Sequence, residues 1–160
     1  MRYKKLIVFC AMPLLAVAVV LATPSSGILF NNILSMGIAA DDLDEKVKID
    51  EWKVSLDTKG STDFYIQDIA IAPGGYSGWH THPGIFVGTV LTGSIDFYDE
   101  NCNLRTFTAG QVWTENDKVH AIANHGTVDA RAQFAYLIKH AQPRRIDQPA
   151  PDCAPITGIP

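Results

Sequence analysis

The chain has 160 residues, of which 47% are hydrophobic and 19% are charged, a composition that fits one globular domain and excludes a disordered protein. Its formal net charge is −4 with the histidines neutral. No stripe of lysine and arginine is present to attract a phosphate backbone, so we do not expect nucleic acid as a partner.

The first 22 residues have the pattern of a secretory signal. Three basic residues within the first five positions precede an apolar run over 6–22, and the stretch TPSSG follows. We predict a signal peptide over 1–22 that is cleaved after Ala22, with a second candidate position after Ala39. Because the apolar run is slightly long and contains Pro13, an uncleaved anchor is the alternative. Cleavage would give an extracytoplasmic protein with no membrane attachment.

Residues 23–60 are expected to form an N-terminal extension and the first strands, with a helical turn or two over 39–48. From 61 to 140, short segments rich in β-branched and aromatic residues alternate with turns, which is typical of an antiparallel sandwich or barrel. Strands are predicted over 63–72, 85–91, 95–98, 104–107, 111–115, 119–124 and 131–139. The tail 141–160 holds five of the nine prolines and is expected to run extended over the barrel.

The cysteines agree with export. Cys10 leaves with the signal, so Cys102 and Cys153 remain as a pair in an oxidising compartment. A bridge between them would close a loop of about 50 residues, worth on the order of 4 kcal/mol, and would tie the tail to the domain. The alternative is two free thiols.

The stretch GWHTHPG, residues 78–84, carries two of the five histidines. Alternate residues of a strand point to the same face, so His80 and His82 project together and are able to bind one metal ion. This pattern alone is a weak signal, because two strand histidines also occur facing solvent.

Gly74 and Gly93 lie before and after the histidine pair at spacings that match a known motif. Gly74 stands five intervening residues before His80, Phe86 three after His82, and Gly93 six after Phe86. This spacing resembles the first motif of the cupin superfamily, G-x5-HxH-x3-E-x6-G, with Phe86 in place of the glutamate. The apolar residue at that position resembles a branch of exported cupins.

A second segment resembles the second cupin motif, PxG-x2-H-x3-N. Thr108 replaces its proline, Gly110 follows, and His120 precedes Asn124 by three intervening residues, although the gap from Gly110 to His120 is longer than in the short form. The resemblance covers about residues 60–140.

The resemblance implies an all-β fold, a single cupin barrel of the jelly-roll or double-stranded β-helix type over 61–140. Within it, His80, His82 and His120 would converge as ligands of a divalent Fe, Mn, Zn, Ni or Cu ion. Such a site leaves positions open for a small-molecule ligand. Phe86 would make the cavity drier and more apolar. Pairing through exposed sheet edges, common among cupins, would allow a homodimer.

The remaining candidates are weaker. His125 lies in a turn and His140 at the end of the last predicted strand, and we expect neither in the site. Glu115 and Asp117 are the acids nearest to His120, but TENDK is typical of a solvated turn, so we assign neither a catalytic role. No catalytic acid or base is identified.

Two functions therefore remain. The first is a secreted metal-dependent enzyme, dioxygenase-like, that acts on a small organic molecule. The alternative is a non-catalytic barrel that binds a small ligand or a metal. The fold does not choose between them.

Overall fold

The computed structural model describes residues 22–160, so the predicted signal lies, except for Ala22, outside the described residues. This part of the chain forms twelve β-strands and one short 3-10 helix. They are β1 Ser26–Ala39, β2 Asp44–Ile49, β3 Trp52–Asp57, β4 Thr62–Tyr76, β5 His80–Thr81, β6 Gly84–Thr92, β7 Ser94–Tyr98, β8 Leu104–Thr108, β9 Val112–Glu115, β10 Ala121–Ala123, β11 Ala130–Lys139, β12 Ile146–Asp147 and the helix Ala154–Ile156. Over residues 22–160, no helix is both long and apolar enough to cross a membrane.

The main sheet is antiparallel and nearly closed into a barrel. Its strand order is β8-β7-β10-β4-β11-β6-β9, and β1 pairs with β4 outside this path. The predicted all-β architecture is confirmed. The longest predicted strands match β4, β6 and β11, whereas the segment predicted over 119–124 forms only the short β10.

The helical turn predicted over 39–48 is wrong. The hairpin β2–β3 occupies this region, with Val47 opposite Val54 and Ile49 opposite Trp52. These β-branched and aromatic residues alternate with charged ones, a pattern that favours a strand over a helix.

The barrel interior is filled by alternate residues of its strands. Ile71, Val90, Ile95 and Ile138 are among its fully buried side chains. Gly88 allows the ring of Trp113 to lie against the backbone of β6, because a Cβ there would come within 2.8 Å of the indole. Trp113 thereby enters an aromatic cluster beneath the site described below.

The C-terminal tail packs against the barrel. Strand β12 pairs with β5, and Ala154 and Ile159 are buried in a cluster that includes Trp79. A disulfide joins Cys102 to Cys153, with a Cα–Cα distance of 6.0 Å. The predicted bridge is therefore present.

Candidate metal centre

The backbone between β4 and β5 places the histidines. Residues 74–80 run antiparallel to 120–124, with hydrogen bonds from Gly74 N to Asn124 O and from Ser77 N to Ile122 O. The ladder ends at His80 and His120, whose backbones exchange hydrogen bonds of 2.9 and 3.0 Å. The two sequence motifs therefore meet because their strands are neighbours.

The structure brings His80, His82 and His120 together. One potential ligand atom from each lies within 4.8 Å of the others. Ring centroids are separated by 4.4 Å for His80 and His120, 4.9 Å for His80 and His82, and 5.1 Å for His82 and His120. All three side chains are buried.

Hydrogen bonds to the backbone fix the orientation of each ring. Each Nδ1 lies 2.6–2.9 Å from a carbonyl oxygen, His80 from Gly78, His82 from Arg144 and His120 from Lys118. A carbonyl only accepts, so each Nδ1 carries the hydrogen, and the Nε2 of a neutral ring keeps its lone pair.

Burial favours the neutral form of His80 and His82. Removal from water lowers the pKa of His80 well below its ordinary value and that of His82 to about 3, and the neighbouring positive groups act in the same direction. Neutral imidazole is the form that binds a metal ion.

The expectation that Glu115 lies in a solvated turn is wrong. Glu115 ends β9 with its side chain buried, accepting a hydrogen bond of 2.5 Å from Trp113 Nε1 through Oε1. Its Oε2 lies 2.5 Å from His120 Nε2. The signal in the sequence was the spacing of two from Trp113, because an inward tryptophan on a strand implies an inward residue two positions later. Asp117, by contrast, is exposed.

Apolar side chains form the floor of the centre. Phe86 is buried, with its ring centroid 5.1 Å from that of His82. Phe134 and Tyr136 each lie 5.2 Å from Phe86, centroid to centroid. Where the cupin motif has a glutamate, this chain has a hydrophobic contact.

Two arginines from the tail line the cavity above the histidines, and sequence reasoning missed them. The cavity has a volume of about 40 Å³. Arg144 contacts Gln67 Oε1 and lies over the ring of Tyr136, 5.4 Å from its centroid. Arg145 donates to Ser77 O at 2.8 Å and pairs with Asp147 at 2.6 Å.

The other two histidines lie outside the cluster. His125 and His140 have side chains that are 43% and 45% exposed, and each contacts a carboxylate, Asp96 at 2.9 Å and Asp63 at 2.7 Å. Asn124 of the second motif has a structural role, because its amide donates to the carbonyls of Ile71 and Val128.

Comparison with known proteins gives structural likenesses only. No protein-family model matches the chain, and no curated protein matches it. The chain is similar to a Cupin 2 domain of an XRE family transcriptional regulator from Enterobacter cloacae, at 22% identity over 48% of this chain and 81% of that one, with a TM-score of 0.43. It is also similar to a predicted oxalate decarboxylase from Thermotoga maritima, at 23% identity over 51% of this chain and 84% of that one, with a TM-score of 0.43. A third similar structure is a cupin domain from Bordetella pertussis, at 17% identity over 62% of this chain and 95% of that one, with a TM-score of 0.42.

The topology itself agrees with the prediction from the motifs. The antiparallel strands form a nearly closed barrel, and the histidines of both motifs lie inside it. The chain therefore has the all-β, nearly closed barrel that the motif resemblance implies.

Proposed function

We propose that this protein binds one divalent metal ion through His80, His82 and His120 and presents it to a small organic molecule. The observation that carries the proposal is the convergence of three buried imidazoles, each held by an Nδ1 hydrogen bond to a carbonyl. His120 Nε2 is buried without a hydrogen-bond partner, and a metal ion would satisfy it.

The donor set fits Fe, Mn, Zn, Ni or Cu, all of which accept imidazole nitrogen. A bound ion would supply Lewis-acid polarisation of a substrate oxygen, and a redox-active ion would add the electron transfer that dioxygenase chemistry needs. The chain's own residues orient the ligands and exclude water, since Phe86, Phe134 and Tyr136 are buried beneath them.

The rim favours a small organic anion as the substrate or ligand. Arg144 has no ion-pair partner among residues 22–160, whereas the charge of Arg145 is paired with Asp147. An unpaired guanidinium beside the cavity is complementary to a carboxylate. The cavity volume of about 40 Å³ restricts the group that enters to a few atoms.

The test begins with elemental analysis of the natively exported protein, for which we expect about one divalent ion per chain. The iron-loaded protein is then mixed with small carboxylates, and binding and oxygen consumption are measured. Arg144→Gln should weaken carboxylate binding about tenfold while keeping the metal, because one charged hydrogen bond is lost. Oxygen consumption would support the enzyme, and binding without turnover under every metal would support the non-catalytic barrel. A native protein that neither contains nor binds metal would contradict the proposal.

We also propose that the chain is exported and cleaved after Ala22. The next residue, Thr23, accepts a hydrogen bond of 2.8 Å from Trp79 N, and cleavage after Ala39 would remove β1. The disulfide also fits an oxidising compartment. The intact mass of the exported protein should match a chain that begins at Thr23, and a mass starting at Ala40 would refute this.

A homodimer is proposed on the basis of exposed apolar residues on β1. Leu29, Leu34, Met36 and Ile38 are each more than half exposed. A second copy covering this strand would remove them from water. Light scattering at micromolar concentration should give twice the monomer mass, and a monomer at all concentrations would refute it.

A further inference from the structure

The residue opposite Phe86 is Glu115. Strands β6 and β9 pair in antiparallel register, with Phe86 facing Glu115 and Gly88 facing Trp113. Directly opposed residues of such strands project to the same side, with Cβ atoms about 5 Å apart. The carboxylate of Glu115 therefore starts from the strand beside the position where the cupin motif has its glutamate.

The carboxylate of Glu115 is aimed at Nε2 of His120, the nitrogen that would bind the metal ion. Its Oε2 lies 2.5 Å from His120 Nε2, yet neither atom has a hydrogen-bond partner, and both are buried. His120 Nδ1 lies 2.8 Å from Lys118 O, and the tautomer that donates this hydrogen bond has no hydrogen on Nε2. Two lone pairs this close repel each other unless a proton lies between them or a metal ion lies beside them and binds both.

The surroundings of the carboxylate hold it in this position. Trp113 Nε1 donates to Oε1, which leaves Oε2 as the free oxygen. The indole is itself fixed by stacking on Phe107, with centroids 5.2 Å apart and an interplanar angle of 19°, and by the backbone of Gly88. The same cavity is lined by Glu115 and all three histidines.

We infer that Glu115 supplies the carboxylate ligand of the metal centre, replacing from β9 the motif glutamate that Phe86 displaces on β6. This inference rests on the proposed metal site. It changes the donor set from three neutral imidazoles to three imidazoles and one anion, which strengthens the binding of a divalent ion.

The test compares Glu115→Gln with Asp117→Asn. Glutamine keeps the size of the side chain and an oxygen that accepts from Trp113, whereas Asp117 is an exposed acid of the following loop. Zinc affinity is measured by competition with a chromophoric chelator. We expect Glu115→Gln to weaken zinc binding at least about tenfold and Asp117→Asn to leave it unchanged.

Infrared difference spectra of the native protein, with and without zinc, distinguish a ligand from a positioning residue. Metal binding should shift carboxylate stretching bands, and Glu115→Gln should remove that shift. Unchanged zinc affinity in Glu115→Gln, or native spectra without a carboxylate shift, would overturn the inference and leave Glu115 as a polar partner of His120 that does not bind the metal ion. Native protein that binds zinc no better than His80→Ala would instead refute the three-histidine site itself.

Discussion

Replacing any one of His80, His82 and His120 with alanine is expected to reduce zinc affinity about a hundredfold or more. Each ring contributes one of three imidazole donors, and its Nδ1 hydrogen bond fixes the nitrogen that faces the others. Loss of even an outer-shell partner commonly weakens metal binding by roughly 10- to 100-fold, so loss of a ligand should exceed this. Chelator competition and elemental analysis of each variant measure the effect.

His125→Ala and His140→Ala are the matched controls. Both residues are partly exposed and lie beside carboxylates outside the cluster. Their removal should leave zinc affinity unchanged. Circular dichroism must show that every variant folds. Truncating His80, His82 or His120 leaves a backbone carbonyl without its hydrogen-bond donor. Equal metal binding by all five folded variants would contradict the site.

Breaking the disulfide is expected to lower the free energy of unfolding by about 4 kcal/mol. Cys102 and Cys153 are 51 residues apart, and in the chain-entropy model the bridge acts by restricting the unfolded chain over that loop. Reduction would also remove the covalent link that holds the tail near the barrel, where Ala154 and Ile159 pack with Trp79. Urea denaturation with and without reductant measures the loss.

The double variant Cys102→Ser, Cys153→Ser is the control for reductant itself. Its unfolding should not respond to reductant, and its stability should equal that of the reduced native protein. A native protein whose two thiols alkylate without reductant, or whose stability is unaffected by reduction, would show that the bridge does not form.

The parts of the centre that follow local periodicity were predictable from the sequence. The alternation of His80 and His82 placed both on one face, and the spacing of the surrounding glycines formed part of the motif whose resemblance implied a barrel. Glu115 was misjudged because polar neighbours surround it, and its burial depends on Trp113 and on its register with Phe86. The pairing of β6 with β9 sets that register, and no local sequence pattern predicts which strands pair.

The tail shows a second limit of local reasoning. Arg144 and Arg145 contact Gln67 and Ser77, which are 77 and 68 residues away in the chain. A proline-rich segment has no periodicity that reports such contacts. The disulfide was predictable because only two of the three cysteines lie beyond the predicted signal, so only one pairing was available there.

Anomalous diffraction at the zinc absorption edge, from crystals of the native protein grown with zinc, tests the central claim most directly. We predict one strong peak inside the barrel, with the Nε2 atoms of His80, His82 and His120 each about 2.0–2.1 Å away. A peak located elsewhere, or histidines that bind through Nδ1 or turn away from the ion, would contradict it.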